Sequence, residues 1–199
     1  MIVMMKLLPA VILASSVTAQ TFSLEFEVDS IDGLGAGDTF SVAVIGDASV
    51  GTHMLGGTFA VSASGASQYI ESMQWYRSDW DVFPSDGGYA GNGNYNQVIF
   101  GQFVLGCPGC GPHPDSALGL AVGHFEITLA DDYSPSDAIY LDLVTLDPFT
   151  LEVYDEISGQ TYNDSMGGEL VLGRLTIPAP STLGAVGAMG LIASRRRRQ

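Results

Sequence analysis

Cys107 and Cys110 stand in the stretch GCPGCGPHPD, with His113 three residues further on. A C-x-x-C pair can act as a redox dithiol when a helix N-terminus after the first cysteine lowers its pKa. Here Pro108, Gly109, Gly111, Pro112 and Pro114 crowd the same stretch, so a helix starting at Cys107 would break within a turn or two. The same residues also read C-x-x-C-x-x-H, a partial zinc set that Asp115 or His124 could complete. The sequence holds no second C-x-x-C to strengthen that reading. A third chemistry is a small disulfide that stiffens an exposed loop, and an oxidising compartment favours it.

The other chemical concentration runs from Tyr69 to Phe103. Trp75, Tyr76, Trp80, Tyr89 and Tyr95 lie there, interleaved with Asp79, Asp81, Asp86, Asn92, Asn94 and Asn96. Flat aromatic faces suit sugar rings, and amides and carboxylates suit their hydroxyls, so these five rings are candidate carbohydrate-binding residues. The competing reading puts Trp75 and some tyrosines in the core and makes the Asn/Gly loop a hairpin turn. The same oxygens could hold calcium, although no D-x-D-x-D-G spacing occurs. The three histidines, His53, His113 and His124, have no sequence-local nucleophile, and G-x-S-x-G, H-E-x-x-H and P-loop patterns are all missing. The sequence therefore nominates no catalytic residue. A glycosidase would need two carboxylates about 5–10 Å apart in a cleft, and 22 acids offer too many pairs to choose from. The enzymatic alternatives are a carbohydrate-active hydrolase and a thiol oxidoreductase at Cys107/Cys110.

The elements that must position these groups follow from patterning. Met1 to Ala19 reads as a secretory signal peptide: Lys6, then the apolar Leu7–Val17, then Val17-Thr18-Ala19 before a cut by signal peptidase at Gln20. Between Gln20 and Ile177 two basic residues face 22 acids, a balance of −20. Such a body is repelled by phosphate backbones, which excludes nucleic acid as a partner class. Its dominant period is two. Leu24, Phe26 and Val28 point one way in SLEFEVD, as do Phe40, Val42 and Val44 in TFSVAVIG and Phe125, Ile127 and Leu129 in GHFEITLAD. AIYLDLVTL and FTLEVYDE repeat the pattern, and MLGGTFAVSA, QVIFGQFVLG and QYIESMQWYRSDW are further strands. ELVLGRLTI reads as one final strand. Turn signals at Asp32-Gly33, Gly37-Asp38, Gly56-Gly57, Gly87-Gly88, Asn92-Gly93, Asp147-Pro148 and Gly167-Gly168 separate them. About eight or nine short strands without a long amphipathic helix predict an all-β, antiparallel two-sheet sandwich over residues 20–177.

The order GDTFSVAV, LGGTFAV, VGHFEITL, GRLTI resembles the jelly-roll sandwich of cohesin-like domains. No dockerin pair accompanies it in the chain. The ending, residues 178–199, resembles the PEP-CTERM sorting signal of exported bacterial proteins: Pro178-Ala179-Pro180, the short apolar run Ser181 to Ser194, then Arg195, Arg196, Arg197 and Arg198. Ala179 stands where that family has Glu. The resemblance implies processing by an exosortase and delivery to the cell surface or extracellular matrix. Arginines just after an apolar run stay on the cytoplasmic side and hold the chain transiently in the membrane. The run spans about 21 Å as a helix, against a hydrocarbon core of about 30 Å. The chain therefore reads as an exported, non-catalytic surface or matrix protein, with extracellular polysaccharide as its candidate ligand.

Overall fold

The structure is a computed structural model and describes residues 19–83, 85–104 and 111–179. Met1 to Thr18 of the signal peptide, Cys107, Cys110, Pro180, the apolar run Ser181 to Ser194 and the four terminal arginines lie outside the described residues. Thirteen strands run through the rest, more than the period-two segments alone suggest because several are only two to four residues long. They are β1 (Thr21–Glu27), β2 (Thr39–Ala48), β3 (His53–Gly65), β4 (Ile70–Arg77), β5 (Ser85–Asp86), β6 (Tyr89–Gly91), β7 (Asn94–Gly101), β8 (Leu120–Leu129), β9 (Ile139–Thr145), β10 (Glu152–Asp155), β11 (Gln160–Asn163), β12 (Glu169–Leu172) and β13 (Arg174–Ile177).

Two sheets form from them, as expected of a sandwich. One has the order β12-β1-β2-β8-β4. The other is built on the long β3. One edge of β3 carries β7, which β5 and β6 extend; its other edge is shared by β10, followed by β11, and by β9, followed by β13. All pairings are antiparallel except β1 with β12, where Thr21 to Leu24 run beside Glu169 to Leu172. Alternation places the core. Phe22 and Leu24, Val42 and Val44, Phe125, Ile127 and Leu129, and Ile139, Leu141 and Leu143 all face inward. Of the expected strand QYIESMQWYRSDW, Ile70 to Arg77 form β4, with Ile70, Met73 and Trp75 buried. A register shift between Ile70 and Ser72 moves the apolar phase by one residue. An aromatic cluster sits at the centre. Phe59 meets Trp75 edge-on at 5.6 Å and lies 6.0 Å from Phe100, while Trp75 and Tyr95 approach Phe125 at 4.8 and 5.1 Å. Each such buried side chain contributes on the order of 1.5–3 kcal/mol of transfer free energy.

Two sequence expectations are corrected here. ELVLGRLTI is not one strand: it divides at Gly173, with β12 in one sheet and β13 in the other. Gly173 is shared between them, donating its N–H to Leu24 O at 2.8 Å and accepting from Leu143 N–H at 3.1 Å. Gly56-Gly57 is not a turn either. Both glycines lie buried within β3, because a Cβ on Gly57 would sit against the Thr150 carbonyl, and one on Gly56 would stand 2.7 Å from Phe100 O. The other dipeptide in question, Asn92-Gly93, is a hairpin turn between β6 and β7, with positive φ at both residues (49° and 75°).

Candidate functional site

The structure does not bring the five sequence-nominated rings together on one surface. Trp80 is 1% exposed, Tyr95 4% and Trp75 8%; their faces are covered by core neighbours. Trp80 lies 6.1 Å from Phe100 and donates Nε1–H to Ala121 O at 3.3 Å. Tyr95 donates its hydroxyl to Asp86 Oδ1 at 2.9 Å. Burial first, and then the Asp86 carboxylate, pushes the Tyr95 phenol up to about 12. Tyr89 donates to Ile70 O at 2.6 Å and accepts from Gly93 N–H, closing the hairpin against β4. Tyr76 alone is exposed, stacked on His124 at 5.1 Å, and a hydrogen bond with Glu126 raises its phenol pKa. The interleaved polar residues build turns. Asn94 caps Gly91 O and Asn92 O and accepts from Ala63 N–H, and Asn96 donates to Gly87 O.

Metal ligands are likewise dispersed. Among the described residues no group of three or more His, Cys, Asp or Glu is placed to hold an ion. His113 Nδ1 accepts from Asp115 N–H at 3.2 Å, His53 Nδ1 contacts Thr52 Oγ1 at 3.0 Å, and His124 lies under Tyr76. Of the sorting residues, Pro178 accepts a hydrogen bond at its carbonyl from the Tyr133 hydroxyl at 3.2 Å, and Ala179 is half-buried.

Two depressions share Phe83 as a lining residue. The apolar one is a groove of about 340 Å³ on the outer face of the β3–β7 pair. Gly56, Gly57 and Gly101 form its floor, each packed closely against neighbouring backbone; a Cβ on Gly101 would stand 3.0 Å from Leu55 O and 3.1 Å from the Phe83 ring. Phe83 and Phe103 form one wall, their rings 5.1 Å apart and inclined at 47°, with Phe103 75% exposed. Pro148 and Phe149 form the opposite wall, after the cis Asp147-Pro148 bond. Polar groups are few: Gln97 donates to buried Thr58 Oγ1 at 3.3 Å, and Asp147 and Glu152 line the groove. Gln102 also lines it, but its amide is fully engaged, donating to Met54 O and Ser116 Oγ and accepting from His113 N–H. Sequence reasoning missed Phe83, Phe103 and Phe149 because they come from three separate segments. The one signal for them was that these phenylalanines lie outside the regular period-two runs or at their ends.

The second depression, of about 360 Å³, is lined by Trp75, Tyr76, Arg77, Asp81, Phe83, Ser85 and Asp86. Asp81 anchors the segment between β4 and β5, its Oδ1 accepting from Phe83 N–H at 2.9 Å and Gly101 N–H at 3.0 Å. Its Oδ2 is buried without a partner. Burial raises the Asp81 pKa, while the two backbone donors and the Arg77 charge act against that rise.

The fold and its surface thus define a two-sheet β-sandwich with a ligand-sized groove on one outer face. No protein-family model and no curated protein sequence matches the chain. Among solved structures the chain is similar to the sixth cohesin of scaffoldin B from Acetivibrio cellulolyticus, solved with a doubly substituted Cel5 dockerin, at 11% identity and a TM-score of 0.44 over 79% of this chain and 97% of that one. It is also similar to the OlpA cohesin of a type I cohesin–dockerin complex from Clostridium thermocellum, at 14% identity and a TM-score of 0.46 over 77% and 96%. Likenesses at this level establish no shared partner.

Proposed function

We propose that this chain is an exported, non-catalytic binding module of the cell surface or extracellular matrix, and that its groove holds a neutral carbohydrate. The observation that carries the reading is the groove itself. It places tilted phenylalanine faces over a glycine floor, with the Gln97 amide and two carboxylates within reach of hydroxyls. The excess of acids on the body argues against a polyanionic ligand. The signal-peptide pattern of Met1–Ala19 and the sorting pattern of Pro178–Pro180 and Arg195–Arg198 support export, with signal peptidase and an exosortase as processing partners.

A glycan array followed by calorimetry tests the reading. Phe103 is exposed, so Phe103→Ala should leave the melting temperature unchanged. It should weaken binding about 2- to 12-fold, the factor that corresponds to about 0.5–1.5 kcal/mol for one aromatic contact. Binding of no neutral glycan, or an unaffected variant, would refute it. One observation favours a second reading: Asp147 and Glu152 both line the groove, as a hydrolase would require. Release of reducing ends from a bound glycan, lost in Glu152→Gln, would establish that reading instead.

A further inference from the structure

We infer that the depression beside Asp81 is a second, polar subsite for the same neutral sugar chain, continuing from the groove past Phe83; this rests on the carbohydrate reading above. Phe83 lines both depressions, so a ligand lying against it borders each of them. The chemistry beyond Phe83 is of a different kind. Asp81 is 3% exposed, and its Oδ2 lies buried with no donor. An unpartnered buried carboxylate oxygen is costly, and a ligand O–H removes that cost. Asp86 engages only its Oδ1, with Gly88 N–H and the Tyr95 hydroxyl, which leaves the second oxygen free among the described residues. Arg77 is exposed and forms no ion pair among the described residues, whereas Arg174, the other described arginine, is paired with Asp142.

Two acceptors and one guanidinium fork around an aromatic edge match a polyhydroxyl ring, since each hydroxyl can donate to a carboxylate and accept from the arginine. They match other ligands less well. A divalent cation would find two carboxylates and a neighbouring positive charge. A uronate would bring its own charge against Asp81 and Asp86. The two subsites are also mechanically joined. Asp81 Oδ1 holds the N–H of Gly101 in the groove floor and the N–H of Phe83 in the dividing wall, so a donor at Oδ2 acts on the residue that shapes both.

The test is a titration of isotopically labelled, otherwise native protein with cello-, xylo-, manno- and laminari-oligosaccharides of about two to six sugars, read by amide shifts and by calorimetry. Disaccharides should shift Thr58, Ile99 and Gly101 only. Longer chains should shift Ser85 and Asp86 as well and bind about tenfold more tightly, on the scale of one hydrogen bond to a charged group. Arg77→Gln, at an exposed residue whose side chain forms no ion pair among the described residues, should remove that gain and leave disaccharide binding intact. Equal affinity for short and long chains, or a gain that survives Arg77→Gln, would overturn this inference while a response to Phe103→Ala kept the groove reading. Failure of every oligosaccharide to bind would overturn both. Tighter binding of glucuronate oligomers than of neutral ones would overturn the assignment of a neutral ligand.

Discussion

Replacing Gly173 by Ala should loosen the point where the chain passes from one sheet to the other. An added Cβ would stand 2.8 Å from Glu25 Cα and 2.9 Å from Phe26 N, both backbone atoms of β1. Ordinary carbon contacts lie at about 3.5–4.0 Å, so relief requires β1 and the linker to separate by roughly 0.7–1 Å. That movement takes the 2.8 Å bond from Gly173 N–H to Leu24 O out of hydrogen-bonding range. Overpacking costs about 1–3 kcal/mol and one lost backbone bond about 1. The stiffer unfolded chain returns about 0.4–1 kcal/mol. The net loss is about 1–3.5 kcal/mol, or about 2–14 °C in Tm for a body of this size. Thermal unfolding followed by circular dichroism measures it, with Gly111→Ala as the control because none of the described residues lies within 4 Å of its added methyl. A Gly173→Ala protein melting within about 1 °C of the parent would refute the argument that Gly173 is sterically required.

Other outcomes follow from the core and the cysteines. Trp80→Ala should destabilise by about 3–5 kcal/mol in urea titration, since the ring is fully buried and bonded to Ala121 O; a loss below about 1 kcal/mol would mean that the ring is not packed as described. The pKa of Asp81 is raised on folding, so its contribution to stability is fully present below its ordinary value of 3.8 and is lost as pH rises through the native value. Parent stability relative to Asp81→Asn should therefore fall as pH rises above that ordinary value of 3.8, and a rise instead would contradict a raised pKa. For Cys107 and Cys110 we propose the disulfide: protein exported and denatured without reductant should show no free thiol, whereas two thiols with one bound zinc would point to Cys107, Cys110 and His113 as ligands.

The strands were legible wherever one face is buried and one is wet. Leu24, Val42, Val44, Phe125, Ile127, Leu129, Leu141 and Leu143 all lie where alternation places them. The division at Gly173 had a signal that the continuous apolar pattern hid: Leu170 and Leu172 fall on one parity, Leu175 and Ile177 on the other, and the slip occurs at the glycine. The aromatic segment misled because ring content alone does not distinguish core from surface. Trp80 lies in a connection, not a strand, and only tertiary packing against Phe100 buries it. The groove was illegible for the same reason. Phe83, Phe103 and Phe149 meet through pairings between distant segments, and the glycines that form its floor look like turn residues in isolation.

The single parallel pairing also determines how the body bears a mechanical load. β1 begins the sandwich and β12 runs beside it in the same direction, with Glu169 N–H bonded to Gln20 O at one end and Gly173 N–H bonded to Leu24 O at the other. A pull on the two ends of the body draws β1 toward its start and β12 toward its finish, so the strands slide past each other. All their rungs are strained together, whereas antiparallel neighbours pulled from adjacent ends open one rung at a time. Past Gly173 the same force enters β13 and its four-residue ladder with β9 in the opposite sheet. Tension applied beyond Ile177 is thereby divided between both layers.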